Sequence, residues 1–513
     1  MATDTTKYLY GAAVQGIQSF IFQTNKLREI VGASELVEEI CTEVFENLLF
    51  DNNIHARYEK IISAAGNIKY IFDERKDLET IVRVFPKTVA EKAPGITVSQ
   101  AVVEYDENKF KDCIDDLEEK LRIQRNKQPI NPMPQFMSIE RSRRTGLPAE
   151  EIRDDEFWDD ASMRKDIAGN SLRKLCKKSF YGENSNEKVD KDNIAFDVED
   201  LTDQNDWIAI VHADGNSLGQ VVKAIGGDKK KFQLFSKNLD TATKNAANKA
   251  YYDTINEPKG NEKYPLRPVV LGGDDMTVII RGSLAIDYTK AFLEYFEQET
   301  KKLLGECEEK LLDGVFADNT KNLTACAGIA FVKSSYSFYY GYELAEELCK
   351  AAKKDARKQG GEGNSIPSCI MFHKVDDTFV ESLEDMTKRQ LTPQKGLSFA
   401  SGPYYLAEQQ NRILLQSIIE NADRLESDEG NALKSGLRRW ITELYKDEKK
   451  ADQAMHRLES ITKEEVTDIL NFAKKAIDKS YEKNGETTNV MAYPVFDLLA
   501  LHTVKHQKTK GDD

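Results

Sequence analysis

The sequence is poor in the features that announce many common chemistries. Its seven cysteines (Cys41, Cys113, Cys176, Cys307, Cys326, Cys349 and Cys369) are scattered, and no two form a CxxC pair. That spacing indicates neither a zinc ribbon nor a disulfide framework. The six histidines are equally dispersed and none is followed by aspartate, so the simplest signature of an HD-type metal phosphohydrolase is missing. Positive charge is in deficit: 72 Lys and Arg against 87 Asp and Glu leave a net charge of −15 at pH 7. A free-standing, non-specific nucleic-acid binder should be basic; a subunit that meets RNA through a local patch or through partners is not excluded. No apolar run is long enough to span a bilayer, and the opening MATDTTKYLYG does not read as a signal peptide. A cytoplasmic protein with no membrane partner is expected.

What is present is organised. At 513 residues the chain can hold about three or four domains, each with its own core. Residues 1–107 read as mixed α/β. YLYGAAVQGIQSFIF opens with a strand-like run, REIVGASELVEEICTEVFENLL has helical spacing, and AAGNIKYIF and ITVSQAVVEY look like later strands. Residues 108–206 are highly charged and turn-rich, as in NKQPINPMPQ and YGENSNEKVDKDN, and read as a connecting insert with helical pieces. From 207 to 375 the order is β-α-β-β-α-β-α: WIAIVHA, KFQLFSKNLDTATKNAANKAYY, the hairpin PVVLGGDDMTVII, YTKAFLEYFEQETKKLL, LTACAGIAFV and YYGYELAEELCKAAKKDARKQ. This order suggests a ferredoxin-like palm, an antiparallel sheet with helices on one face. Residues 376–513 carry apolar positions at helical spacing and read as a helical bundle, with the tail KHQKTKGDD expected to be disordered. The expected fold class is therefore α+β.

The hairpin places Gly272, Gly273, Asp274 and Asp275 between two apolar, β-branched runs. Gly and Asp are turn residues, and a turn alone would account for them. The rest of the chain argues for more. Residues 8–107 and 207–374 look like two copies of one plan. Matching AAVQGIQ to VHADGNS sets Gln15 on Asp214, and matching AAGNIKYIF to LGGDDMTVII sets Asn67 on Asp274 and Ile68 on Asp275. The intervals are similar, 52 residues from Gln15 to Asn67 and 60 from Asp214 to Asp274. The second copy thus has three acids where the first has two amides and an aliphatic, which fits one active palm and one retired to scaffolding.

Three carboxylates brought to one sheet edge repel each other unless something compensates them. Mg²⁺ or Mn²⁺ resolves this, being held by carboxylates together with substrate phosphates, and a two-metal arrangement can activate a 3′-hydroxyl and stabilise leaving pyrophosphate. Asp214, Asp274 and Asp275 are the expected ligands. Gly272 and Gly273 would let the backbone approach a nucleotide. The loop Gly215, Asn216, Ser217 and Leu218 leads into a helix whose N-terminus suits a triphosphate. Lys353, on the helix ELCKAAKKDARK, is the first choice for a cation on the phosphates, against the plainer reading of those lysines as a solvated helix face.

At these residues the chain resembles a known family, the large polymerase/cyclase subunit of type III CRISPR–Cas effector complexes, most closely its Cmr branch. The carriers are LGGDDMTVII, IAIVHADGNSLG, YLYGAAVQGIQSFIFQTNKLREIVGAS and the AEELCKAAKK helix. The resemblance implies two palms of which only the GGDD-bearing one is catalytic. It implies an adenylate messenger made from ATP when target RNA pairs with guide RNA, in a complex with other effector subunits. The product would be a cyclic oligoadenylate or, with S-adenosylmethionine as acceptor, AMP joined to that compound. It implies Asp214, Asp274 and Asp275 as metal ligands, 215–218 as phosphate contacts and Lys353 as the phosphate-binding lysine. There are departures. Many members begin with an HD nuclease domain, whereas here the first palm starts almost at once, so DNA cleavage by this chain is not expected. Many carry a zinc-binding cysteine cluster between the palms, whereas SIERSRRTGLPAEEI has none, so no structural zinc is expected. Two other readings stand beside the enzyme: a non-catalytic scaffold holding guide and target RNA, and a stand-alone diguanylate-type cyclase, which leaves the first palm unexplained.

Overall fold

The apolar runs of the N-terminal third form strands because their β-branched and aromatic residues bury on a pleated surface. The structure, a computed structural model, describes residues 6–506 except 55–56, 65, 128–137, 171–172, 183–184, 191, 203–206, 261, 378–381 and 484–485. Most of NKQPINPMPQ and of the C-terminal tail lies outside the described residues. In chain order the first unit comprises β1 (Lys7–Gln15), α1 (Leu27–Glu39), β2 (Tyr58–Ala64), β3 (Asn67–Phe72), α2 (Arg75–Lys92) and β4 (Thr97–Tyr105). Its antiparallel sheet has the order β2-β3-β1-β4. Side chains alternate across it. Tyr10, Ala12 and Val14 face α1 and α2, while Leu9, Ile71 and Val103 face α3 (Phe110–Arg125). The first packing unit therefore runs past residue 107, the boundary expected from composition.

The insert carries a short hairpin, β5 (Glu151–Arg153) with β6 (Glu156–Trp158), followed by α4 (Asp160–Asn170), which packs on α1.

The second unit comprises β7 (Trp207–Gly215), α5 (Leu218–Ile225), α6 (Lys229–Thr254), β8 (Leu266–Gly272), β9 (Asp275–Arg281), α7 (Gly282–Thr300), β10 (Ala325–Lys333), α8 (Phe338–Gly360) and β11 (Cys369–Lys374). Within its sheet the order β8-β9-β7-β10 repeats that of the first unit. Ala209, Val211 and Ala213 face α6 and α7, whereas Ile208 and Ile210 face α8 and share a core with α1. Helices therefore cover both faces of this sheet rather than the one expected, because its strands are apolar on both sides, and the two palms close on one another across the α8 side.

Strand register corrects the alignment of the two copies. Ala13 faces Asn67 and Ser99, as Asp214 faces Asp275 and Cys326. The positions equivalent to Asp214, Asp274 and Asp275 are then Ala13, Gly66 and Asn67, not Gln15, Asn67 and Ile68. Matching Gln-Gly to Asp-Gly by residue type displaced the first strand by two positions and the hairpin by one, because backbone hydrogen bonds, not side-chain likeness, fix the ladder. The first copy remains without a carboxylate at any of the three.

The C-terminal region is mainly helical, with α9 (Leu383–Gln390), α10 (Leu415–Arg424), α11 (Asp428–Leu444), α12 (Glu448–Ile461) and α13 (Val495–Lys505). It also contributes strands that its sequence barely signals. β12 (Leu397–Ser398), β15 (Ile477–Lys483) and β16 (Glu486–Ala492) form a sheet in the order β12-β16-β15, while β13 (Tyr404–Tyr405) and β14 (Ile413–Leu414) extend the second sheet beyond β11. No helix among the described residues is long and apolar enough to cross a membrane.

Candidate active site

Asp214 ends β7 and Asp275 begins β9, and the two are register partners on neighbouring antiparallel strands. Asp274 precedes Asp275 in the turn, and its carbonyl accepts the Gly215 N–H at 3.2 Å. A carboxylate oxygen from each of the three lies within 4.8 Å of the others, the one such acid, histidine or cysteine cluster among the described residues. Gly215 is required by this approach: a Cβ there would stand 2.8 Å from the Asp274 Cβ.

Burial sets the electrostatics. It pushes the Asp274 carboxyl up to about 7, helped by the Asp214 charge, and the Asp275 carboxyl up to about 8, helped by Asp274 and Asp214. The Lys353 ammonium, reaching in from α8, opposes both rises. It lies 2.5 Å from Asp214 Oδ2 and donates to the Gly215 carbonyl at 2.7 Å. One cation against three acids leaves the cluster short of positive charge, and hard oxygen donors in that state can hold a divalent ion.

Of the loop residues expected to meet phosphate, the structure divides the set. The Gly215 and Asn216 N–H groups bond the Asp274 and Thr324 carbonyls. The Asn216 side chain turns inward, donating to Thr324 Oγ1 at 3.0 Å and to Cys326 Sγ at 3.4 Å. Neither residue is free to hold an anion as expected, because the Asp274 turn takes the Gly215 donor and Thr324, just ahead of β10, takes those of Asn216. Ser217 and Leu218 differ. Ser217 sits at φ 63° and leaves its buried Oγ without a partner, and α5 begins at Leu218 with no side-chain cap. Its first N–H groups, those ahead of Gln220 and Val221, which bond the Ser217 carbonyl, are the natural anion donors.

Gly272 and Gly273 are explained by the fold. Gly273 has φ 62°, and a Cβ on Gly272 would come within 3.2 Å of Asp240 Oδ1. Asp240 and Thr243, both on α6, bond the Gly273 peptide. Sequence reading missed them, since KNLDTATK looks like a solvated helix face. It also missed His212, two residues before Asp214 and on the same strand face, whose Nδ1 lies 3.0 Å from Thr277 Oγ1. Tyr342 packs edge-on to His212 and accepts from Gln18 of the first palm at 2.7 Å.

Residues 207–360 match the family described as Cas10/Cmr2, second palm domain. No curated protein sequence matches the chain. Among solved structures, the Csm1–Csm4 cassette in complex with one ATP aligns with a TM-score of 0.54 at 12% identity, over 98% of this chain and 70% of that one. The cassette with pppApApA gives 0.54 at 13% over the same shares. The Csm1–Csm4 subcomplex of the type III-A CRISPR–Csm interference complex gives 0.53 at 13%, over 98% of this chain and 71% of that one. At such identities the likeness establishes the fold. This chain spans 70–71% of the length of these three chains and 54% of that of the cassette in complex with AMPPNP. The resemblance to the large subunit of type III effectors thus holds, and the Cmr branch is not distinguished from the Csm branch.

Proposed function

We propose that this chain is the nucleotidyl-transferring subunit of a type III CRISPR effector complex, joining adenylates from ATP at Asp214, Asp274 and Asp275. The convergence of these three carboxylates within 4.8 Å, inside the segment matching the Cas10/Cmr2 second palm, carries the reading. Solved cassettes of the same fold bearing ATP and pppApApA support an ATP-derived product.

The donor set fits Mg²⁺ or Mn²⁺: three carboxylates, two of them with titration pushed up by burial and mutual repulsion. Such an ion, when bound, neutralises charge on the reacting phosphate and favours ionisation of the attacking hydroxyl. The chain's own residues do the rest. Strand pairing sets Asp214 opposite Asp275, and Asp274 precedes Asp275 in the turn. Lys353, its side chain only 12% exposed, stands ready to pair with phosphate oxygens beside Asp214. The Ser217 hydroxyl and the first N–H groups of α5 offer further donors. The reaction joins a 3′-hydroxyl oxygen to the α-phosphorus, releases pyrophosphate and sends the hydroxyl proton to solvent. The acceptor is a second adenylate or S-adenosylmethionine. Guide RNA, target RNA and the other effector subunits are the proposed partners, in the cytoplasm.

The test is to incubate the assembled complex with ATP, Mg²⁺ or Mn²⁺ and target RNA, with and without S-adenosylmethionine, and to identify products by chromatography and mass spectrometry. A new adenylate that disappears with Asp274→Ala/Asp275→Ala, while assembly and RNA binding persist, is expected. No new nucleotide under any of these conditions would favour the scaffold reading, and a product dependent on GTP would favour a diguanylate-type cyclase.

A further inference from the structure

We propose that Asp240 and Thr243 are positioning residues: together they hold the Gly273 peptide and so aim Asp274 and Asp275. The inference rests on the metal-binding reading above. Thr243 Oγ1 donates to the Gly273 carbonyl at 2.6 Å, and Asp240 Oδ1 accepts the Gly273 N–H at 3.2 Å. Both polar ends of the residue before the acid pair are therefore gripped from outside the hairpin. Thr243 is fully buried. The other Asp240 oxygen is held by Lys244 at 2.7 Å, so the acceptor has a fixed direction. Gly272 lacks a side chain where Asp240 comes close, and Gly273 takes the left-handed conformation that presents both its polar groups to α6.

The helix is a firm support. It is 26 residues long, packs along α7, and is tied at its start to the first palm. There Lys229 pairs with Glu59 at 2.8 Å and Gln233 donates to the Lys60 carbonyl at 2.9 Å. A two-residue turn left to itself would let Asp274, and with it the start of β9 at Asp275, wander, and displacements near 1 Å weaken reacting geometries steeply. Groups that orient metal ligands from behind typically change metal affinity roughly 10–100-fold when removed.

The test uses the full chain and Mn²⁺ alone, with free Mn²⁺ followed by electron paramagnetic resonance and folding by thermal melting. Thr243→Val keeps the shape and deletes the donor. It should weaken Mn²⁺ binding roughly tenfold or more, and Thr243→Ser, which restores the hydroxyl, should recover it to within about twofold. Asp240→Ala should show a similar loss, and alanine on a helix retains the fold should the valine variant melt early. If the two variants bind Mn²⁺ like the unaltered chain, the positioning role is overturned. If the unaltered chain and its Asp275→Asn variant bind Mn²⁺ equally weakly, the metal-binding reading itself fails, a distinguishable result.

Discussion

Asp214 and Asp275 are paired by the hydrogen-bond ladder of β7 and β9, so two like charges are held together by backbone rather than by choice of rotamer. Strand pairing forces a repulsion that the side chains relieve only by keeping protons. Asp275→Asn should therefore stabilise the chain in the presence of a chelator while ending adenylate synthesis. A gain of roughly 1–3 kcal/mol at pH 8 is expected, in line with active-site residues whose removal relieves stored repulsion. Chemical denaturation in EDTA measures it, and a loss of stability would mean the carboxylate is structural.

The pH dependence follows from the same groups. Asp274 and Asp275 titrate at about 7 and about 8 in the fold, above the ordinary aspartate value. Between about pH 4 and those values the folded chain keeps protons that the unfolded chain has released. Without divalent ion, stability contributed by the pair is present below pH 4 and falls as pH rises to about 8, beyond which the penalty is complete. An ion must displace those protons, so its affinity climbs through the same window, by up to about tenfold per pH unit for each proton displaced. Mn²⁺ should raise the melting temperature more at pH 8.5 than at pH 6, and equal shifts would contradict the assignment.

Lys353→Met tests the cation. The ammonium at 2.5 Å from Asp214 is the charge that holds both raised carboxyls down. Its loss should weaken binding of a non-hydrolysable ATP analogue by about 2 kcal/mol, roughly thirtyfold. It should also move the pH dependence of Mn²⁺ binding upward. Equilibrium dialysis gives the first and the resonance titration the second. Unchanged nucleotide affinity would return Lys353 to a purely structural partner of Asp214.

Much of this site could be read from residue order, and the reasons for the rest are physical. LGGDDMTVII and WIAIVHA announced themselves because apolar β-branched runs bounded by Gly and Asp have few other conformations. Register did not, since sliding Gln15 onto Asp214 costs nothing on paper and a strand pair in the sheet. Asn216 is expected at a phosphate because its loop leads into a helix N-terminus, while the direction of its donors, which the neighbouring Thr324 decides, is not written locally. Asp240 and Thr243 sit mid-helix, where polar residues ordinarily face water. β13 and β14 are two residues each, too short for any periodicity. Helix α3 looked like the start of a linker because its apolar positions, Phe110, Cys113, Leu117 and Leu121, are few among charges, yet they suffice to cover a sheet face.

The first palm supplies a control. Asn67 stands where the second palm has Asp275, with Ala13 across from it where the second has Asp214. None of the three matching positions, Ala13, Gly66 and Asn67, carries a carboxylate, so the first palm lacks the charged donor set of the second. Asn67→Ala should leave product formation within about twofold, since changes away from buried networks and reacting groups are small. A large loss of rate in the chromatographic assay would show that the first palm is not retired.

The insert offers the sharpest stability test. Arg144 lies over Trp158, its guanidinium 4.0 Å from the ring centroid, and forms ion pairs with Glu156 of β6 and Glu29 of α1. Glu29 is 1% exposed, and burial pushes its carboxyl up while a hydrogen bond from Thr24 and the Arg144 charge pull it down. The guanidinium therefore pins the hairpin β5–β6 to the first palm. Arg144→Ala strands a buried carboxylate and removes the stacking, at a cost of about 3 kcal/mol. Amide exchange over residues 140–165 should quicken accordingly. Arg144→Lys should recover little, because an ammonium cannot serve two carboxylates and a ring face in one plane. In Arg144→Ala/Glu29→Gln the uncompensated charge is gone, so the double variant should be more stable than Arg144→Ala alone. If Arg144→Ala alone changes stability by less than about 0.5 kcal/mol, the surface-pair range, the insert is held by its apolar contacts and this pin is incidental.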